Sequence, residues 1–350
     1  MKTFKKITAA ALALVMIFLL AACSSGSTDD IIDIITVNIG IITNGDNEKD
    51  DYASTHFSAF KTAYDVSGAG DSQITKEENV SPTDTDAIDY AMTDLVERGC
   101  RLIIGTDQGY YTELLKYARE EDNQNIFFAA IADYSQPEPP EKNMISVVIN
   151  KYESEYLEGV IAGLSSQSGK IGYVSDKAYY ELDYADVNAF YLGAKSVNKN
   201  AAVSVVVTDD VKAGVEKVIA AGCDIVYSRN YVVNEETGET FFTVPESLQK
   251  GMTLNKIESD GKATFISGPI INLDFIYTQI IDNTVNNKFD ELSTRKWDIK
   301  AGALDVFPAA DENIKNTVDT LKEKFYQGED VIGMTLDQLN AAYLDGVAEI

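Results

Sequence analysis

Two landmarks occur twice in this chain, in the same order. Asn38-Ile39-Gly40-Ile41-Ile42-Thr43-Asn44 is echoed by Lys170-Ile171-Gly172-Tyr173-Val174-Ser175-Asp176, and Val96 to Ile104 (VERGCRLII) is echoed by Ile219 to Tyr227 (IAAGCDIVY). The two separations are close enough for one duplication with a difference in loop length. Each half reads strand, helix, strand, helix, strand, which with right-handed crossovers gives a parallel sheet covered on both faces. The expected fold class is therefore α/β with two doubly wound, Rossmann-like halves, and 350 residues suit two such domains better than one core.

Periodicity places the elements. In the first half, Ile39 to Thr43 is a strand, Phe57, Phe60 and Tyr64 mark a helix face, Asp86 to Gly99 is a helix and Leu102 to Gly105 a strand. Tyr111 to Glu120 is a helix, Ile126 to Ala132 a strand, and Ile145 to Ile149 the strand leading to the second half. There, Lys151 to Asp176 opens with a helix of which Tyr152, Tyr156, Val160 and Leu164 are the apolar positions, with Glu153, Glu155 and Glu158 between them and Gly169 closing it. Asp186 to Val197 and Val211 to Gly222 are helices, Val203 to Val207 and Asp224 to Tyr227 strands, with further strands at Phe241 to Val244 and Ala263 to Ile266. Helices through Leu273, Ile276 and Ile280 and through Ile314, Val318, Leu321 and Phe325 complete the chain.

The first residues read as an address. Lys2, Lys5 and Lys6 precede an apolar run from Ile7 to Leu20, and Leu20-Ala21-Ala22-Cys23 is a small-residue cleavage site ending in cysteine. That motif resembles the bacterial lipobox, which implies cleavage before Cys23 and lipidation of its thiol. Residues 1–22 are then a signal peptide and 23–35, with SSGSTDD, a flexible lipid-anchored tether. Cys100 and Cys223 each follow a helix-ending glycine and open an apolar run, so they are expected buried and unpaired. With one histidine and no close cysteine pair, no metal site is expected. The excess of 56 Asp+Glu over 29 Lys+Arg repels nucleic acid and anionic membrane surfaces, leaving membrane contact through the lipid alone.

In open parallel sheets, ligands sit beyond the carboxyl ends of the strands, where helix N-termini and loop amides converge. That rule selects Asn44, Asp107 and Asp133 in the first half and Asp176, Arg229, Asn230 and Tyr231 in the second. Asp107 also fits an N-cap of the helix at Tyr111. Arg229 suits an acceptor-rich or anionic ligand, or an ion pair with a nearby acid.

The stretch YLEGVIAGLSSQSGKIGYV, preceded by Val147-Val148 and followed by FYLGAKSVN (Phe190 to Asn198), resembles the basic membrane protein (BMP) or PnrA-like family of ABC transporter substrate-binding lipoproteins. The resemblance implies the type I periplasmic-binding-protein arrangement with a three-segment hinge, placed here near Ile149, Ile271 and Ala303. The lobes would be 36–148 plus 272–302 and 149–271 plus 303–350. It further implies that an acidic residue and an aromatic in the loop before the first helix, here Asp50 or Asp51 and Tyr52, contact the ligand, and that Asp133 accepts ribose hydroxyls. The chain departs from the family at Ala53, in lacking a Val-Asp-x-Asp-Gln strand between Tyr231 and Ser267, and in reading Ser267-Gly268-Pro269 where a lysine follows a Thr-Ser pair.

No Gly-x-Ser-x-Gly elbow is present, and His56 has no nucleophile set around it. GLSSQSGK (Gly163 to Lys170) fails as a phosphate loop on glycine spacing and on Ile171. The resemblance then implies the function of a lipid-anchored, extracytoplasmic, monomeric solute-binding protein of an ABC importer. It would hold a small polar ligand, by family default a purine nucleoside, without cofactor or catalysis, and hand it to an ABC permease. The alternative is a ligand-sensing surface lipoprotein of the same fold.

Overall fold

A computed structural model of the chain describes residues 37–49, 51–67, 73–132, 141–175, 184–234, 236–248, 251–293 and 295–350. The first sheet is assembled from β1 (Ile39–Ile42), helix α1 (Asp51–Val66), β2 (Ile74–Glu77), α2 (Thr85–Glu97), β3 (Leu102–Gly105), α3 (Tyr111–Ala118), β4 (Phe127–Ala132) and β5 (Met144–Val148). Its order is β2-β1-β3-β4-β5, all parallel. Ile39 and Ile41 pack with Phe60 and Tyr64 of α1, whereas Ile42 joins Ile88 and Leu95 of α2 on the other face. This is the alternation of a strand covered on both sides. β2 carries Thr75, Lys76 and Glu77 at the sheet edge, so no apolar run announces it.

The second sheet follows the same plan. α4 (Tyr152–Ser165) leads to β6 (Lys170–Ser175), α5 (Tyr184–Val197), β7 (Ala202–Val207), α6 (Val211–Ala220) and β8 (Ile225–Arg229). Gly40 of β1 lies beneath Leu95 of α2, where a Cβ would stand 2.8 Å from Leu95 Cδ2, and Gly172 of β6 lies beneath Val218 of α6 at 2.6 Å. The registers match too, with Gly40 beside Ile103 and Gly172 beside Val226. The sequence repeat therefore encodes a repeated close approach of helix to strand. Gly99 and Gly222 take φ values of +74° and +86° just past α2 and α6, the left-handed turn that ends a helix at little cost only with glycine.

Beyond β8 come β9 (Val232–Asn234) and β10 (Glu239–Thr240), a small hairpin, then β11 (Met252–Ile257) and β12 (Ala263–Ser267). The second sheet has the order β12-β11-β8-β6-β7-β15, in which β11 runs antiparallel to both β8 and the edge strand β12, and β15 (Val347–Glu349) runs parallel to β7. Phe241 to Val244 is not a strand. Its backbone instead folds back so that Phe242 is buried against Val215 and Val226. Gly169 does not close α4, which ends at Ser165. The link is held by Asp224, whose carboxylate accepts from Ser166 Oγ and from the amides of Gln167 and Ser168.

β13 (Pro269–Ile271) carries the chain out of the second sheet to α7 (Leu273–Val285), which packs on α1 through the edge-on pair Phe60–Tyr277. β14 (Leu304–Val306) brings it back, antiparallel to β13, to α8 (Glu312–Gln327) and α9 (Leu336–Asn340). A third crossing runs from β5 into α4, where Ile149 bridges Trp297. α4 is buried nearly all round, by α5, by the crossing strands and by Phe325 of α8 against Tyr156. Glu155 and Glu158 are consequently interior, whereas helical periodicity places them outward. Cys100 and Cys223 are buried and unpaired, with burial raising both thiols.

Candidate functional site

The carboxyl tips of β1 and β3 converge on the start of α1. Thr106, the residue after β3, spends its own N–H and hydroxyl on Ile42 O, both at 3.1 Å, which leaves its carbonyl to accept from outside the sheet. The Tyr52 hydroxyl donates to it at 2.7 Å. This bond fixes a tyrosine ring that is still 47% exposed at the strand tips. Behind the ring stands His56, one turn along α1, with centroids 4.4 Å apart. His56 Nδ1 lies 2.7 Å from Tyr277 Oη, and burial pulls its imidazole down to about 4. An aromatic plate is thus pinned at its tip and backed by a neutral ring.

In the loop between β1 and α1, Asp46 accepts from the Glu48 amide at 2.9 Å and from Lys49 Nζ at 2.7 Å, the latter bond holding its carboxyl below the usual range. Asn44 is exposed. Asn47 was not marked by any sequence pattern. It is only 5% exposed, and neither atom of its side-chain amide has a partner among the described residues. Asp107 accepts from the Gly109 amide at 2.9 Å and so caps the short turn at Gln108–Tyr110. Asp51 is the first residue of α1. Asp133, Asp176 and Cys23 lie outside the described residues.

At the second sheet, Arg229 ends β8 and is exposed. Asn230 turns inward: its Oδ1 accepts from Phe242 N at 2.9 Å and Tyr231 N at 3.0 Å, and its Nδ2 donates to Phe242 O at 2.7 Å. Its amide is therefore a clamp on the 241–242 segment. Tyr231 stacks on Phe241, centroids 5.2 Å apart and planes 11° from parallel, with burial pushing its phenol up to about 12. Arg229, Asn230 and Tyr231 share one sheet edge, as Asn44, Tyr52 and Asp107 share the other.

Chemically, these tips offer flat rings, amides and hydroxyls for recognition. Among the described residues no group of three or more His, Cys, Asp or Glu could hold a metal ion, and no helix is long and apolar enough to cross a membrane.

Comparison with known proteins bears on the fold and the family. A solute-binding protein of an ABC transporter system from Conexibacter woesei shares the fold, with a TM-score of 0.61 at 17% identity over 87% of this chain and 99% of that one. A purine-binding protein of Brucella abortus is 30% identical over 112 residues, which are 32% of this chain and 30% of its own length. A metabotropic glutamate receptor-like protein of Dictyostelium discoideum, protein F, is 29% identical over 112 residues, 32% of this chain and 14% of that protein. The chain thus matches well under half the length of these curated relatives. Residues 59–335 match the family described as ABC transporter substrate-binding protein, PnrA-like, and it is to this family that the chain belongs.

Proposed function

We propose that the chain captures a small planar polar ligand, a purine nucleoside or base, between lobes 36–148 plus 272–302 and 149–271 plus 303–350, and delivers it as a monomer to an ABC permease. The observation that carries this reading is the Tyr52 ring, exposed at the tips of β1 and β3 and held there by Thr106 and His56. A fixed aromatic face stacks on a flat heterocycle with little loss of side-chain freedom. The purine-binding relative supports the same class. Asn44, Asp51, Asp107, Asp133, Asp176 and Arg229 are the polar groups assigned to the ligand's edges, and Tyr231 is a second ring. Asn230 is left out of the direct contacts because its amide is committed to Phe242. Cys23 carries the lipid that keeps the protein on the extracytoplasmic face.

Calorimetric titration with purine nucleosides, bases, sugars and amino acids tests the assignment. Saturable binding of purines, lost in Asp133→Ala, is the expected result; binding of a sugar or amino acid and of no purine refutes it. Release of the protein from membranes by Cys23→Ser tests the anchor. The receptor-like relative favours one further reading, in which the same lobes sense the ligand without transporting it. Unchanged purine uptake in cells lacking the protein would select that reading.

A further inference from the structure

Glu158 lies wholly inside the molecule, on the side of α4 turned to the strands that carry the chain between sheets. Its Oε1 is 2.8 Å from Ser267 Oγ, and Ser267 Oγ is 2.7 Å from Phe307 O. A hydroxyl has one hydrogen to donate, and a backbone carbonyl only accepts. Both contacts are hydrogen bonds together only when Glu158 carries a proton and donates it to Ser267, which then donates to Phe307. An ionised Glu158 would claim the serine hydrogen and leave the Phe307 carbonyl without it. Glu158 Oε2 has no partner among the described residues, which is costly for a carboxylate and mild for a neutral acid.

The positions of these partners give the relay its leverage. Ser267 ends β12, with only Gly268 before β13, and Phe307 directly follows β14. Phe307 N donates to Gly268 O at 2.8 Å, so the relay ties α4 to both crossing strands at the point where they pair. Nearby on α4, the Glu153 carboxylate accepts from the Ile299 amide at 3.0 Å, two residues from Trp297, which Ile149 of the third crossing bridges.

We propose that Glu158 is a proton-operated latch on the crossing strands: protonated, it joins α4, β13 and β14 into one unit, and on ionisation it frees the Phe307 carbonyl and loosens the strand pair about which the two halves move. This reading does not depend on the ligand's identity.

Burial favours the neutral form, and the charged groups on the surrounding elements are committed elsewhere or exposed. Glu155, one turn away, is a second buried carboxyl; its Oε1 accepts from Tyr227 Oη at 2.8 Å, and burial, Asp186 of α5 and Glu158 raise it against the pull of Tyr227 and Lys151. Asp305 of β14 is paired with Lys322 of α8 at 2.6 Å, and Lys256 of β11 with Glu258 at 3.2 Å. Lys195 of α5 donates to Lys199 O, while Glu312, Asp319, Glu323 and Lys324 of α8 are exposed. Burial lifts Glu158 to about 8, against the opposite pull of Ser267, and Glu153 to about 7. Because the folded value is raised, the stabilisation is complete below the ordinary carboxyl range and is lost as pH climbs through about 8.

Amide hydrogen exchange of the full chain tests the latch, with Phe307 as reporter and Ile104 of β3 as control. Protection at Phe307, corrected for intrinsic rates, should fall about tenfold between about pH 6 and about pH 9 while Ile104 holds. In Glu158→Gln the carboxamide donates to Ser267 at any pH, and Phe307 protection should be level. Constant protection in the native protein, an equal fall at Ile104, or the same fall in the variant overturns the proposal. Should the variant not fold, infrared spectra of the native protein decide. A protonated-carboxyl band must persist at neutral pH and fade in step with Phe307 protection, and a band absent there refutes the latch.

Discussion

Gly159 of α4 meets the backbone of Phe190 on α5 so closely that a Cβ at Gly159 would stand 1.8 Å from the Phe190 carbonyl oxygen. The contact is reciprocal, since a Cβ at Gly193 of α5 would stand 1.9 Å from Tyr156 O. Backbone cannot yield as a flexible side chain can, so the two helices would have to separate. Gly159→Ala is expected to cost about 3 kcal/mol or more, or to prevent folding. Urea unfolding of the variant measures this; a loss below about 1 kcal/mol would mean that the helices are not locked at this distance.

Tyr52 separates ring from hydroxyl. Tyr52→Ala removes the stacking face and should weaken purine binding about 10- to 100-fold, equivalent to ~1–3 kcal/mol. Tyr52→Phe keeps the face, loses the bond to Thr106 O and should change affinity only a few-fold, for about 1 kcal/mol. Equal losses in both variants, by titration calorimetry, would make the hydroxyl rather than the ring the determinant.

Asn230→Ala distinguishes a clamp from a ligand contact. Removing the amide strands Phe242 N beside a fully buried ring and leaves Phe242 O with only the Thr240 hydroxyl, so stability should drop by about 1–3 kcal/mol. A ligand contact would give lower affinity at unchanged melting temperature.

His56 predicts the acid limb of stability. Burial depresses its folded value to about 4 from 6.5, so the unfolded chain takes up the proton first as pH falls. The stabilisation is therefore complete above the ordinary histidine range and is lost as pH falls toward about 4, by roughly 3 kcal/mol in total. Denaturant titrations of the native protein and His56→Gln, compared across that range, should show a shallower decline in the variant; parallel declines would place a charged imidazole in the folded state.

Legibility in the sequence followed from how much of each signal was local. The glycines at Gly99 and Gly222, with the apolar runs that follow, located helix ends and strands because each depends on neighbours in sequence. β2 and β15 escaped because short edge strands carry few core-facing residues, and β11 because Thr253, Asn255 and Lys256 break its apolar pattern. Phe241 and Phe242 look like a strand but are buried by a fold-back that Asn230 holds. Of the candidate site, the strand-tip rule marked Asn44 and Asp107 and the family resemblance marked Tyr52, whereas Asn47 and the inward turn of Asn230 depended on contacts with distant segments.

By itself the sequence determined the duplicated α/β units, their strand tips and the family. Each of these rests on side-chain period, glycine placement or a contiguous motif, and all three are written along the chain. Only the tertiary structure decided that Glu155 and Glu158 are interior, that Tyr52 is pinned to Thr106 and that His56 is neutral behind it. These follow from surfaces supplied by α5, α7, β13 and β14, elements far away in sequence, and the resulting loss of water resets the charge state of a residue whose local pattern is unchanged.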